Sequence, residues 1–89
     1  MEIKIEKLSK DELKKRGVFS WPVWTKEVSQ FPWIYDNTEE CLILEGEITV
    51  ETKDGKKTSF GRGDFVTFPK RLSCTWIVRK PVRKHYNFK

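Results

Sequence analysis

Histidine is almost missing from this chain of 89 residues, which carries only His85. A first-row metal held by imidazole and carboxylate needs about three or four such ligands, so a histidine-built metal centre is excluded. Cysteine is nearly as scarce. Cys41 and Cys74 stand far apart and form no C-x-x-C pair, which excludes a closely spaced redox or zinc motif. No apolar run approaches the roughly 18–20 residues that cross a bilayer as a helix. No charged-then-apolar leader and no lipidation signal stands at either end, so the expectation is a cytoplasmic protein with reduced thiols and no membrane partner. Internal repeats, low-complexity tracts and linkers are also missing, and the length fits one domain spanning residues 1–89.

Aromatic residues are plentiful instead. They make up 13% of the chain, and each removes on the order of 150–250 Å² from water when buried. Trp21, Trp24, Trp33 and Trp76 are therefore core or pocket wall before anything else. The formal charge of +5 invites a polyanion partner, but both signs are interspersed from end to end. Nucleic acid is accordingly not the expected partner. Lys and Glu dominate the charged set, which suits the ion-pair-rich surface of a heat-adapted protein.

The period of the sequence is two over most of its length. Met1–Leu8 alternates as a strand with one wet face. Ser9, Glu12, a Lys/Arg run and Gly17 form a capping box, a basic last turn and a glycine stop, which predict one short helix over Lys10–Arg16. From Val18 onward the vocabulary is β-branched and aromatic. Strands are predicted at Glu40–Glu45, Glu47–Lys53, Lys56–Phe60, Phe65–Phe68, Ser73–Arg79 and, after Pro81, Val82–Phe88. Asp54-Gly55 predicts a two-residue hairpin turn of type I′. About eight short, tightly spaced strands make an all-β sandwich or barrel.

Two stretches carry a more specific pattern. Glu39-Glu40-Cys41-Leu42-Ile43-Leu44-Glu45-Gly46-Glu47 resembles the second half of the first cupin motif, and Gly63-Asp64-Phe65-Val66-Thr67-Phe68-Pro69 is similar to the opening of the second. Val23-Trp24, Phe31-x-Trp33-x-Tyr35-Asp36, Trp76 and Val82-Arg83-Lys84-His85-Tyr86 extend the resemblance to the small cupins related to the cupin domain of (S)-ureidoglycine aminohydrolase. The resemblance implies a small cupin fold, that is, a double-stranded β-helix or jelly-roll barrel with one short N-terminal helix. It also implies ammonia-releasing hydrolysis as one candidate activity, without deciding whether the chain is an enzyme. Metal-binding cupins place two histidines before the glutamate, where Trp33 and Tyr35 stand here, and a third where Cys74 stands. Of the four ligand positions only Glu39 matches, so no metal or other cofactor is expected. A divalent metal held through Glu39 and Cys74 is the alternative.

Strand alternation sorts the candidate site residues. With Glu39 inward, Cys41 and Ile43 follow it, while Glu40, Leu42 and Leu44 point outward. Glu39 in an apolar funnel is either a general acid or base or one half of a structural ion pair. Lys84 shares a face with Tyr86 and Phe88 and is its natural partner. Beside a carboxylate, Lys84 serves to hold an anionic substrate, to form a Schiff base, or only to complete a buried salt bridge. Cys74, on one face with Trp76, is a thiolate ligand, a nucleophile, or an inert small hydrophobe, and Cys41 invites the same three readings. His85 falls outward as a surface or interface residue. Trp24, Trp33, Tyr35, Cys41, Trp76 and Tyr86 either line a pocket for a small molecule or fill the barrel. The competing functions are thus a catalytic site built on Glu39, Lys84 and Cys74 and a non-catalytic metabolite-binding or sensing module. Exposed edge strands in so small a barrel make a strand-paired homodimer a further expectation.

Overall fold

Ser9 opens α1 (Lys10–Lys15), because its Oγ accepts a hydrogen bond from the Glu12 N–H at 3.1 Å and satisfies one of the amides a helix start leaves unpaired. Only half of the predicted capping box forms. The Glu12 carboxylate accepts from Arg16 Nε one turn on, at 2.9 Å, rather than reaching back to Ser9. Gly17 then leaves the helix at φ +73, where its N–H bonds the Lys14 carbonyl. Arg16 is the cap, so the helix is one residue shorter than predicted. Val18–Ser20 form a 3₁₀ turn, not the start of the sheet.

The computed structural model describes residues 2–89, and the remainder of these is strand and turn. The strands are β1 (Lys4–Glu6), β2 (Val23–Lys26), β3 (Ser29–Ile34), β4 (Glu39–Thr52), β5 (Lys57–Gly61), β6 (Phe65–Phe68) and β7 (Ser73–Phe88), joined in one antiparallel network. β1 is shorter than the expected Met1–Leu8 strand, whose first residue lies outside the described residues. β4 and β7 pair along most of their length and belong to both halves of the barrel. Their segments Glu39–Ile43 and Lys84–Phe88 run with β6, β1 and β2, and their segments Ile48–Thr52 and Cys74–Val78 run with β5 and β3. This is the small cupin barrel that the sequence motifs imply.

Two predicted strand ends are corrected by this arrangement. Gly46 and Pro81 do not separate strands. They lie where the β4–β7 register shifts, between Ile43 and Ile48, so each long strand bends through a bulge and continues into the other half. A proline is tolerated there because a bulge leaves ladder positions unpaired. The Asp54-Gly55 turn is also not of type I′, since Gly55 has φ +83 while Asp54 stays in the negative region. The Gly55 N–H bonds the Thr52 carbonyl and the Thr52 N–H bonds the Lys56 carbonyl, which gives a three-residue loop closed by a left-handed glycine.

Apolar side chains separate into two clusters. Inside the barrel, Tyr35, Cys41, Ile43, Ile48, Val50, Phe60, Val66, Phe68, Trp76, Val78 and Val82 pack together, with Leu72 and Cys74. Outside it, Leu13 of α1 and Val18 cover Leu42 and Phe65, so the helix seals the outer face of β4 and β6. The odd-numbered residues of Glu39–Ile43 thus face one cluster and Leu42 the other, as alternation requires.

Candidate functional site

Lys84 sits in the C-terminal part of β7, opposite Trp24 on one side and Ile43 on the other, and its place in the Val82-Lys84-Tyr86 series turns it into the barrel. Glu39, the first residue of β4, faces it. Lys84 Nζ donates to Glu39 Oε2 at 2.7 Å, with residue exposures of 5% and 3%. The ammonium also lies 4.9 Å from the Trp24 ring centre and 4.6 Å from that of Trp76, so two indole faces and one carboxylate surround it. Trp76 is itself fixed by an Nε1–H donated to the Tyr35 hydroxyl at 3.1 Å and by stacking on Phe31. Tyr35 stacks on Phe68 with ring centres 4.9 Å apart. Burial first, and the nearby Glu39 carboxylate second, hold the Tyr35 hydroxyl far above the ordinary phenol range.

This pair forms the floor of a cavity of about 170 Å³ walled by Trp24, Phe31, Trp33, Tyr35, Trp76 and Tyr86, with Phe88 at its edge. Trp33 and Phe88, each close to half exposed, stand at the rim. Lys84 occupies one oxygen of Glu39. The other, Oε1, takes no hydrogen bond from a described residue, and no side-chain N or O among these residues is both buried and unpartnered. Oε1 therefore opens on the cavity as an acceptor.

Seven of the residues picked from sequence come together here: Glu39, Lys84, Trp24, Trp33, Tyr35, Trp76 and Tyr86. Cys41 and Cys74 do not join the wall. Cys41 lies in the closed core, where burial pushes its thiol up to about 12 against the lowering effect of Lys84. Cys74 points to the Trp33 carbonyl at 3.6 Å, and burial, with Glu39 adding to it, pushes its thiol up to about 11. Both are free thiols, protonated at neutral pH, whereas nucleophilic or metal-binding cysteines need the thiolate. Sequence reasoning left out Phe31 and Phe88. The signal was present, since Phe31 alternates with Trp33 and Phe88 with Tyr86. His85 points outward but is half-buried. Its Nδ1 lies 2.9 Å from the Trp21 carbonyl and its ring meets Phe19 edge-on, so it pins the incoming N-terminal segment to β7. Trp21 packs on Phe65 in the outer cluster, away from the cavity.

The residues at the cupin metal positions do not fit a metal ion. Trp33 offers no donor there, the Tyr35 hydroxyl is engaged by Trp76, Cys74 is held as a thiol, and the Glu39 oxygen already contacts a cation, the Lys84 ammonium. Among the described residues no three of His, Cys, Asp and Glu gather closely enough to hold one. No helix of these residues is long and apolar enough to cross a membrane.

An antiparallel barrel with a polar pair at the floor of an aromatic mouth defines this chain as a small cupin. Its sequence matches the family of EutQ-like cupin domains over residues 13–86, and the chain belongs to that family. It is similar to the crystal structure of a DUF861 family protein from Thermotoga maritima, with 56% identity and a TM-score of 0.97 over 99% of this chain and 100% of that one. A putative ethanolamine utilization protein Q from Salmonella typhimurium shares the fold at 21% identity, TM-score 0.65, over 97% of this chain and 68% of that one. So does the EutQ protein of Clostridium difficile, at 22% identity and TM-score 0.66, over 72% of this chain and 50% of that one. No curated protein matches the sequence.

Proposed function

We propose that the cavity is a binding site for a small polar metabolite and that Glu39 and Lys84 form its polar centre. The observation that carries this reading is the unsatisfied face of the pair. A purely structural salt bridge is best served by closed surroundings, yet Glu39 Oε1 opens on an aromatic-walled space. The size of that space narrows the ligand. A water occupies about 30 Å³ of the liquid, so about 170 Å³ encloses on the order of five or six heavy atoms, and a larger ligand extends past Trp33 and Phe88 at the rim. The chemistry narrows it further. Of the atoms of the pair that border this space, Glu39 Oε1 is the one without a protein partner, so an acceptor is free for recognition, and aromatic faces favour planar or cationic groups. A small nitrogenous compound that donates an N–H to Oε1 suits both features. Glu39 would then be placed to act as acid or base on the group it holds, and ammonia-releasing hydrolysis, the chemistry suggested by the aminohydrolase-like motifs, is the candidate reaction.

The second reading, a binding or sensing module without turnover, rests on the two thiols, which are held protonated and lie off the cavity wall. One experiment separates the two. Isothermal titration with ureidoglycine, urea, short amino acids and ethanolamine, the last taken from the name of a structural relative, is followed by an ammonia assay on every compound that binds. Binding with ammonia release supports the enzyme, and binding without it the sensor. If no compound of this class bound the native chain while larger or purely apolar ones did, the assignment of the polar centre would fail.

A further inference from the structure

We propose that Lys84 is a carbonyl-trapping nucleophile, condensing reversibly with a small aldehyde or ketone in the cavity to form an imine at Nζ. This rests on reading the cavity as a ligand site and adds small aldehydes and ketones to the compounds that site takes. Lys84 is the one buried lysine among the described residues, and its amine forms part of the cavity floor. Imine chemistry needs four things: a desolvated amine, a proton acceptor in contact with it, a donor for the departing water, and a home for the cationic product. Each is present. The Glu39 carboxylate, 2.7 Å from Nζ, is the base in contact with the amine and takes a proton from it as the carbonyl arrives.

The balance closes without any outside reagent. The freed lone pair of Nζ attacks the carbonyl carbon and the C=O electron pair moves to oxygen, which takes the proton from Glu39. Glu39 then removes a second proton from the nitrogen and delivers it to the hydroxyl, which leaves as water while the nitrogen lone pair closes the C=N bond. The end state is a protonated imine beside a Glu39 carboxylate, so the net charge of the pair is unchanged. The iminium occupies the place of the ammonium, where the Trp24 and Trp76 faces at 4.9 and 4.6 Å stabilise one cation as they do the other. Aromatic walls limit water around the new bond and so favour the dehydrated product. The thiols do not compete, since both lie off the cavity wall.

Reductive trapping tests this. The native chain is incubated with pyruvate or propionaldehyde and sodium cyanoborohydride, and the adducts are mapped by peptide mass spectrometry. The expected result is labelling of Lys84 above any exposed lysine by more than about tenfold. Lys84→Arg, which keeps the cation, should lose that label, Glu39→Gln should weaken it, and Lys80→Met, on the exposed surface, should leave it unchanged. Label spread over the exposed lysines with Lys84 no higher than the rest would overturn the proposal. If Glu39→Gln does not fold, native chain against Lys84→Arg decides. Saturated alcohols of the same size serve as unreactive probes in a thermal melt. If they stabilise the chain while Lys84 stays unlabelled, the cavity keeps its role as a ligand site and the imine is excluded.

Discussion

Burial has opposite consequences for the ionisable side chains of this barrel. Glu39 and Lys84 satisfy each other at 2.7 Å, whereas Cys41, Cys74 and Tyr35 have no cation close enough to offset the loss of water. Their neutral forms are therefore favoured in the fold. The sign follows from linkage: between pH 9, where a free thiol ionises, and about 11 for Cys74 or about 12 for Cys41, the unfolded chain has fewer bound protons than the native one. Stability should then be level below pH 9 and fall as pH rises through that window. Urea unfolding at pH 8, 10 and 11 checks this, and Cys41→Val should flatten part of the slope. A stability that rises between pH 8 and 11 would contradict the burial argument. At this scale the sequence was informative about direction and poor about distance. Alternation placed Glu39 and Lys84 on one interior, and it placed Cys74 there too. That Cys74 turns to the Trp33 carbonyl rather than to the cavity depends on β3 lying against β7, a pairing between residues 41 apart in the chain.

The long strands are held in their bent course by backbone contacts at one point. Gly46 has φ +121, and a Cβ added there would lie 2.9 Å from the Pro81 carbonyl oxygen and 2.9 Å from Val82 Cα. Both neighbours are backbone, so neither yields by a rotamer change. Gly46→Ala should cost about 2–4 kcal/mol, from strain at that φ together with a clash across β4 and β7. Equilibrium unfolding measures it, and a loss below about 0.5 kcal/mol would mean that the bulge relaxes freely. The cavity should suffer as well, because Lys84 lies two residues beyond Val82. The same two residues explain where the sequence misled. Gly46 and Pro81 are punctuation in a local reading, and local rules end a strand at each. Tertiary pairing overrides them, since the bulge uses a glycine for close approach and a proline whose missing N–H costs no ladder bond. The helix, by contrast, was legible from Ser9 to Gly17, because capping and glycine termination are local chemistry.

Across the molecule, surface charge and interior charge have separate roles. Arg16–Glu12, Lys80–Glu47, Arg83–Glu45, Lys7–Asp64 and Lys89–Glu40 pair at the surface, where water and salt screen them and each contributes little. Lys84–Glu39 is the one ion pair with both side chains buried among the described residues. Removing one partner of such a pair costs about 3–5 kcal/mol, while replacing both by hydrophobic residues of similar volume is near neutral. The Glu39→Leu/Lys84→Met double variant should therefore fold about as well as the native chain, yet lack the polar centre. The barrel itself was legible from its paired motifs, which fall on the first part of β4 and on β6. A pocket was not, because the same aromatic residues fill a closed core equally well.

The most direct test of the polar centre is the melting temperature of the native chain and of this double variant, each measured with and without a small polar compound that binds the native protein. At about ten times its Kd the compound adds about 1.4 kcal/mol, which raises Tm by about 5–10 °C in a domain of this size. A polar centre built on Glu39 and Lys84 gives that shift in the native chain and none in the double variant. Equal shifts in both would place the ligand away from Glu39 and Lys84 and contradict it.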